Sequence, residues 1–186
     1  MPGQIVPLIR DEDLAPPFDE YVSNWKKTRS RIPNNTYALA NAPELGMAAR
    51  GIFDAVTKLG VLPRELRYLI RYVVSNLNAC RYCMTHQTNR LRGEFGLSEQ
   101  RLREATTCET SDLFSDREKA ALVYAMALTR DAGNIPEAVY TELDKHFNAQ
   151  ERVEITVIAA AMNMINIVND GLRLPLEDEA LSELAK

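Results

Sequence analysis

Hydrophobic positions recur along this chain at the spacing of an amphipathic helix. Tyr21, Val22 and Trp25 fall on one face of a helix that begins near Phe18 and precedes Pro33. Similar patterns, separated by proline or glycine, predict seven more helical segments: 43–59, 64–78, 80 to about 93–96, a short one from 98, 120–130, 136–147 and 150–168. No segment shows sustained strand alternation. The sequence therefore predicts an all-α fold of roughly eight helices.

Several helix boundaries have recognisable capping residues. Ser98-Glu99-Gln100-Arg101 and Ser115-Asp116-Arg117-Glu118 are each typical of an N-cap followed by a capping box. By contrast, residues 1–17 hold four prolines and no helical period, which predicts an extended arm. We divide the chain into an arm with an accessory helix (1–40), a helical core (41–172) and a C-terminal tail or short helix (173–186).

Composition favours one compact domain. The 186 residues are 46% hydrophobic and 26% charged, and the net charge of −4 argues against a nucleic-acid partner. The N-terminus lacks the pattern of a signal peptide, and the most apolar stretch, 155–165, is short for a membrane span and contains Asn163. We therefore expect a cytoplasmic protein with no membrane partner.

The richest chemistry lies in Cys80-Arg81-Tyr82-Cys83-Met84-Thr85-His86. On a helix, Cys83 points about 60° from Cys80, and His86 points about 60° further on. Cys80 falls at the helix start, where the helix dipole is expected to lower its pKa. Such a pair can cycle between dithiol and disulfide. We predict that Cys83 attacks an electrophile, because His86 is one turn away, and that Cys80 resolves the product and meets the reductant.

Less specific interpretations remain open. The two thiols are also compatible with simple packing, or with half of a zinc site that lacks a fourth ligand, and His86 with a structural hydrogen bond. Met84 after Cys83 excludes a c-type haem motif. Cys108 is interpreted as an ordinary packed thiol. No cofactor and no metal are predicted.

Two further patterns surround this motif. Between 64 and 103, arginines outnumber glutamates, which indicates either a solvated face or a field that stabilises a thiolate. Asn163, Asn166 and Asn169 form a ridge on the last apolar helix. Buried amides need partners, so this ridge favours crosslinks between helices over contacts to substrate.

The segment Val74-Ser75-Asn76-Leu77-Asn78-Ala79-Cys80-Arg81-Tyr82-Cys83 resembles the helix junction of the AhpD-like alkylhydroperoxidases, within the carboxymuconolactone decarboxylase superfamily. Segments 115–129 and 159–166 are also similar to that family, and the likeness spans roughly 40–172. The resemblance implies an all-helical, oligomeric thiol peroxidase in which the second cysteine attacks peroxide and a glutamate and a histidine relay protons.

Two positions depart from the family pattern. The position of the family glutamate is occupied by Tyr68, with Glu65 one turn earlier, and the usual histidine position is occupied by Gln87, with His86 just before it. The resemblance thus gives Cys83, Cys80, His86, Glu65 and Tyr68 as candidate catalytic residues.

The sequence therefore predicts a peroxidase that reduces hydroperoxides at the expense of an unknown thiol reductant. A lyase acting on a small carboxylate, with His86 as general acid and Arg81 holding the anion, is one alternative. A non-catalytic oligomeric binding protein is another. We also expect a homo-oligomer whose helical interface includes the arm and the helix around Trp25.

Overall fold

The computed structural model describes residues 3–28 and 31–177. Within that part of the chain there are nine α-helices, two 3-10 helices (Asp11–Asp13 and Ala105–Thr110) and no strand. The α-helices are α1 (Phe18–Lys26), α2 (Asn34–Leu39), α3 (Pro43–Lys58), α4 (Arg64–Leu77), α5 (Arg81–Phe95), α6 (Glu99–Glu104), α7 (Asp116–Asp131), α8 (Glu137–His146) and α9 (Ala149–Gly171). The all-α prediction is confirmed.

Capping side chains mark the starts of α6, α7 and α9, of which the sequence predicts the first two; the predicted capping box forms at Ser115 and not at Ser98. The side chains of Ser98, Ser115 and Asn148 each accept a hydrogen bond from the backbone N–H three residues on. Gly96 ends α5 in the left-handed conformation, with φ of 69°. The helix that the sequence does not predict is α2, a six-residue element that starts after Pro33.

Helix α4 forms the centre of the bundle. Leu69, Ile70, Val73 and Val74 are fully buried where α4 packs against α5, α7 and α9. Their burial provides much of the apolar stabilisation of the fold. Helix α9 is long and apolar enough to cross a membrane by length and composition alone, but it packs here as a core helix against α3, α4, α5 and α7.

Both ends of the described chain fold back onto the bundle. In the arm, the Ile5 N–H donates to the Leu172 carbonyl, and the Ile9 N–H donates to the Tyr37 carbonyl, both at 3.3 Å. After α9, the backbone runs past Leu172 and brings Glu177 against α5. Residues 178–186, most of the predicted tail, lie outside the described residues, and the three-part division of the chain stays a prediction.

Candidate active site

The two cysteines meet at the junction between α4 and α5. Ala79 takes the left-handed conformation, with φ of 52°, which costs about 1–2 kcal/mol for a residue with a Cβ. This turn makes Cys80 the N-cap residue of α5 and directs its N–H to the Ser75 carbonyl at 3.0 Å. The Cys80 Sγ donates to the Cys83 Sγ at 2.9 Å. Both cysteines are free, so the structure represents the reduced dithiol.

The two thiols differ sharply in acidity. The hydrogen bond from Cys80 lowers the pKa of Cys83; burial acts against it, and amide groups of Asn169 and Asn166 add to the lowering. Donating that same hydrogen bond raises the pKa of Cys80 well above its usual range, and burial raises it further. Cys83 is therefore the more acidic of the two thiols, and Cys80 is the one that keeps its proton.

This result corrects one expectation about Cys80. Its place at the start of α5 does not lower its pKa, because its hydrogen bond to Cys83 and its burial outweigh the helix dipole. Cys80 is also 0% exposed, whereas Cys83, at 2%, lines an open cleft. The cleft therefore opens onto Cys83, and Cys80 lies behind it.

The asparagine ridge on α9 has two roles. Asn78 donates to the Oδ1 atoms of Asn163 and Asn166 at 2.7 and 2.9 Å, which joins the end of α4 to α9 as a crosslink. Asn169 differs, since its Nδ2 donates to the Cys83 Sγ at 3.2 Å. Sequence reasoning identified the ridge but did not identify this contact to the thiol.

His86 is held by a carboxylate that the sequence did not single out. Glu177 Oε2 lies 2.9 Å from His86 Nε2, and Glu177 Oε1 accepts hydrogen bonds from the Tyr82 hydroxyl at 2.6 Å and the Asn34 N–H at 2.5 Å. Burial acts to raise the pKa of Glu177, but these partners lower it to about 2. The Tyr82 and His86 rings are also in contact, with centroids 4.7 Å apart. The hydrogen bond to Glu177 and the contact with the Tyr82 ring thus fix the position of His86 beside an ionised carboxylate.

Glu65 lies outside the cleft that contains Cys83 and His86. Its carboxylate accepts from Arg101 Nη1 at 2.7 Å, and the other side of that guanidinium pairs with Glu118 at 2.5 Å. Glu65 does not line the cleft that exposes Cys83, whereas Tyr68 does. The structure therefore brings Cys80, Cys83, His86 and Tyr68 to one region and leaves Glu65 in an ion-pair network beside α6 and α7.

The cleft has a volume of about 1520 Å³ and a basic lining. Its wall includes the aromatic rings of Tyr21, Trp25, Phe53 and Tyr68. Its charged side chains are more often basic than acidic: Arg31, Arg50, Lys58, Arg64, Arg71, Arg90 and Arg92 against Asp54, Glu94 and Glu177. Part of the arginine surplus seen in the sequence therefore lines the cleft that contains Cys83.

Two other candidates lie outside this cleft. Arg81 is exposed and does not line it. Cys108 is fully buried, and burial raises its pKa to about 11, as expected of a packed thiol. Among the described residues, no group of three or more His, Cys, Asp or Glu side chains is placed to hold a metal ion.

Comparison with known proteins agrees with this architecture. The model of the carboxymuconolactone decarboxylase family matches residues 43–127. The uncharacterized protein YdfG of Bacillus subtilis (strain 168) is 29% identical over 129 residues, which is 69% of this chain and 86% of YdfG.

Solved structures show the same fold. The debrominase Bmp8 superposes with a TM-score of 0.82 at 22% identity, covering 98% of this chain and 97% of Bmp8. A peroxidase-related protein with an AhpD core from Ralstonia eutropha JMP134 gives 0.83 at 21%, covering 97% and 95%. An Agrobacterium tumefaciens protein of unknown function, described as an AhpD candidate for antioxidant defence, gives 0.68 at 28%, covering 74% and 93%.

The all-α bundle and the hydrogen-bonded thiols of Cys80 and Cys83 place this protein in the class of helical dithiol proteins. The family model matched over residues 43–127, together with the shared fold of the AhpD-like structures, supports the superfamily of AhpD-like and carboxymuconolactone decarboxylase proteins that the motifs resemble. Those members of the superfamily whose names state an activity are enzymes.

Proposed function

We propose that this protein is a thiol peroxidase that reduces hydroperoxides through Cys83 and Cys80. The observation that supports it best is the hydrogen bond from Cys80 to Cys83 at 2.9 Å, because it makes Cys83 the more acidic thiol and keeps the proton on Cys80. An activated nucleophile beside a protonated partner is the arrangement that a two-cysteine peroxidase requires.

The chemistry balances with one external reductant. The Cys83 thiolate attacks the distal peroxide oxygen; the O–O bond breaks, leaving a sulfenic acid on Cys83 and an alkoxide that takes up a proton. Cys80 then attacks the sulfenic sulfur, a disulfide forms and water leaves. A dithiol reductant restores both thiols by exchange, beginning at the sulfur that faces the cleft.

His86 is the proposed proton donor to the departing alkoxide. Its ring lines the same cleft as Cys83, and its Nε2 is held 2.9 Å from the Glu177 carboxylate. This carboxylate fixes the orientation of the imidazole ring in the wall of the cleft. Glu177 thus has the proton-relay role, beside His86, that the sequence analysis gave to Glu65.

The test is intact mass with thiol mapping after one equivalent of cumene hydroperoxide. The full chain should lose two hydrogens as a Cys80–Cys83 disulfide, Cys80→Ser should stop at a sulfenic acid that a dimedone probe traps, and Cys83→Ser should remain unchanged. Cys108→Ser is the control and should behave as the full chain. If Cys83→Ser consumes the peroxide while Cys80→Ser does not, the assignment of roles is wrong.

Reductive removal of halogen from an aromatic compound is a second candidate. The likeness to Bmp8 extends over nearly the whole chain, and a cysteine-to-alanine variant of that debrominase forms a complex with 2,3,4-tribromopyrrole. The aromatic wall of the cleft here suits a flat ring. Bromide release from a bromopyrrole, measured beside hydroperoxide consumption under the same reductant, distinguishes the two reactions.

The lyase alternative is less well supported. Arg81, the residue that was expected to hold the substrate anion, is exposed and outside the cleft. The thiol pair, with its divided acidity, would have no role in that reaction.

A further inference from the structure

The guanidinium of Arg71 lies in the wall of the cleft without a carboxylate partner. Arg71 is on α4, one turn after Tyr68, and its guanidinium carbon lies 4.9 Å from the centre of the Tyr68 ring. Its Nη1 donates to the Thr57 hydroxyl at 3.1 Å. Its Nε is buried and has no hydrogen-bond acceptor, and no carboxylate of residues 3–28 and 31–177 forms an ion pair with it.

Three neighbouring arginines of the cleft contact carboxylates of the protein. Arg50 pairs with Asp54 at 3.1 Å, and Glu94 pairs with both Arg64 at 2.5 Å and Arg90 at 3.2 Å. Each of these three arginines therefore has a carboxylate partner, although Arg64 and Arg90 share theirs. Arg71 has only a hydroxyl and an aromatic face.

No carboxylate of the described residues compensates the charge of Arg71. Burial, the largest effect, lowers the pKa of Arg71; the positive charges of Arg50 and Arg90 lower it further, whereas Tyr68 and Cys83, when ionised, raise it. A guanidinium nevertheless stays protonated at any physiological pH. Burying such a charge without a partner is costly, and an anion entering the cleft would remove that cost.

We propose that Arg71 binds the anionic group of the substrate, so that the protein acts on carboxylate-bearing electrophiles. Arg71 and Cys83 line the same cleft, so a ligand held by its carboxylate at Arg71 can present its electrophilic atom to the thiolate. Guanidinium groups favour carboxylates over neutral polar groups because the hydrogen bonds are charge-assisted. The aromatic wall accommodates the apolar body of such a molecule. The inference rests on the peroxidase proposal only for the identity of the reacting group, a hydroperoxide.

The binding site can be tested without any turnover. Iodoacetate and iodoacetamide alkylate Cys83 by the same chemistry but differ in charge, so the ratio of their rate constants measures attraction of the anion. We expect Arg71→Gln to reduce that ratio by about tenfold, equivalent to about 1.4 kcal/mol, since a partly buried ion pair contributes at least this much. Arg71→Lys, which keeps the positive charge, should retain most of the rate ratio of the full chain. Arg90→Gln, which removes a cation already paired with Glu94, should change it by less than about twofold.

Two outcomes overturn the inference. An unchanged ratio in Arg71→Gln shows that Arg71 does not attract the anion. An equal fall in both rate constants shows instead that Arg71 serves the Cys83 thiolate. If Arg71→Gln does not fold, protection of the full chain decides: butyrate, but not butyramide, should slow alkylation of Cys83 by iodoacetamide, and equal protection by both refutes the site.

The substrate class has its own measurement. Linoleic acid hydroperoxide and its methyl ester differ only in the anionic group, and we expect kcat/KM to favour the acid by about tenfold in the full chain and not in Arg71→Gln. Equal values in the full chain refute a carboxylate-bearing substrate. If neither compound is consumed, the peroxidase proposal fails, while the alkylation ratio still tests anion binding at Arg71.

Discussion

Replacing Asn169 by leucine should make Cys83 a weaker acid. The Asn169 amide donates to the Cys83 sulfur at 3.2 Å, and both side chains are buried, so a leucine of similar shape would occupy the position of the lost donor. A hydrogen bond to a charged group contributes about 1.5–3 kcal/mol, and we take the lower end because sulfur is a diffuse acceptor. The pKa of Cys83 therefore rises, and below that pKa the thiolate fraction falls roughly tenfold.

The alkylation rate changes by less than the thiolate fraction. A more basic thiolate is a stronger nucleophile, by about threefold for a tenfold change in acidity. At pH values below the pKa, alkylation of Cys83 by iodoacetamide should therefore slow by roughly threefold, while above the pKa Asn169→Leu should react faster than the full chain.

The assay is the pH profile of Cys83 alkylation, followed by peptide mapping. Asn163→Leu is the matched control, since Asn163 lies on the same face of α9 but bonds to Asn78 and Thr129 rather than to the thiol. The inflection of this pH profile marks the pKa of Cys83. If the inflection does not move in Asn169→Leu, or moves equally in Asn169→Leu and Asn163→Leu, the role given to Asn169 is refuted.

Other contacts lead to three more predictions. Because the pKa of Glu177 falls from 4.5 to about 2 on folding, its contribution of up to about 3 kcal/mol is present above pH 4.5 and is lost as the pH falls towards 2; the loss of stability in acid, measured by urea unfolding, should be smaller by about this amount in Glu177→Gln than in the full chain. Glu65→Gln should leave peroxide turnover unchanged and cost about 1 kcal/mol or less, since its ion pair with Arg101 is partly exposed; a large fall in turnover would return Glu65 to the site. Light scattering should find a homo-oligomer that dissociates when residues 1–31 are removed; a monomeric full chain contradicts the association, and an unchanged oligomer contradicts the role of the arm.

Local signals account for what the sequence predicted well. Pro43, Pro63, Ser98 and Ser115 mark helix starts through backbone and capping preferences that act within a few residues. The pairing of Cys80 with Cys83 also depends on one helical turn. These features require no knowledge of the tertiary fold.

The remainder of the site depends on contacts between distant parts of the chain. Glu65 and Tyr68 are one turn apart, yet packing turns Glu65 towards Arg101 and leaves Tyr68 in the cleft. Glu177 gave no signal in the sequence, because only the path of the chain after α9 brings it to His86. The acidity of Cys80 likewise depends on the orientation of a hydrogen bond that spacing alone does not specify.

The separation between Cys83 and its partners also links reactivity to completion of folding. Asn169 is 86 residues from Cys83 in sequence, and Glu177 is 91 residues from His86. Contacts of such long range are made only when α9 and the segment after it have docked. A nascent or locally unfolded chain therefore lacks the hydrogen bond from Asn169 that helps to lower the pKa of Cys83. The acidity of Cys83, read from the pH profile of its alkylation, can accordingly serve as a reporter of how much of the population has reached the native state.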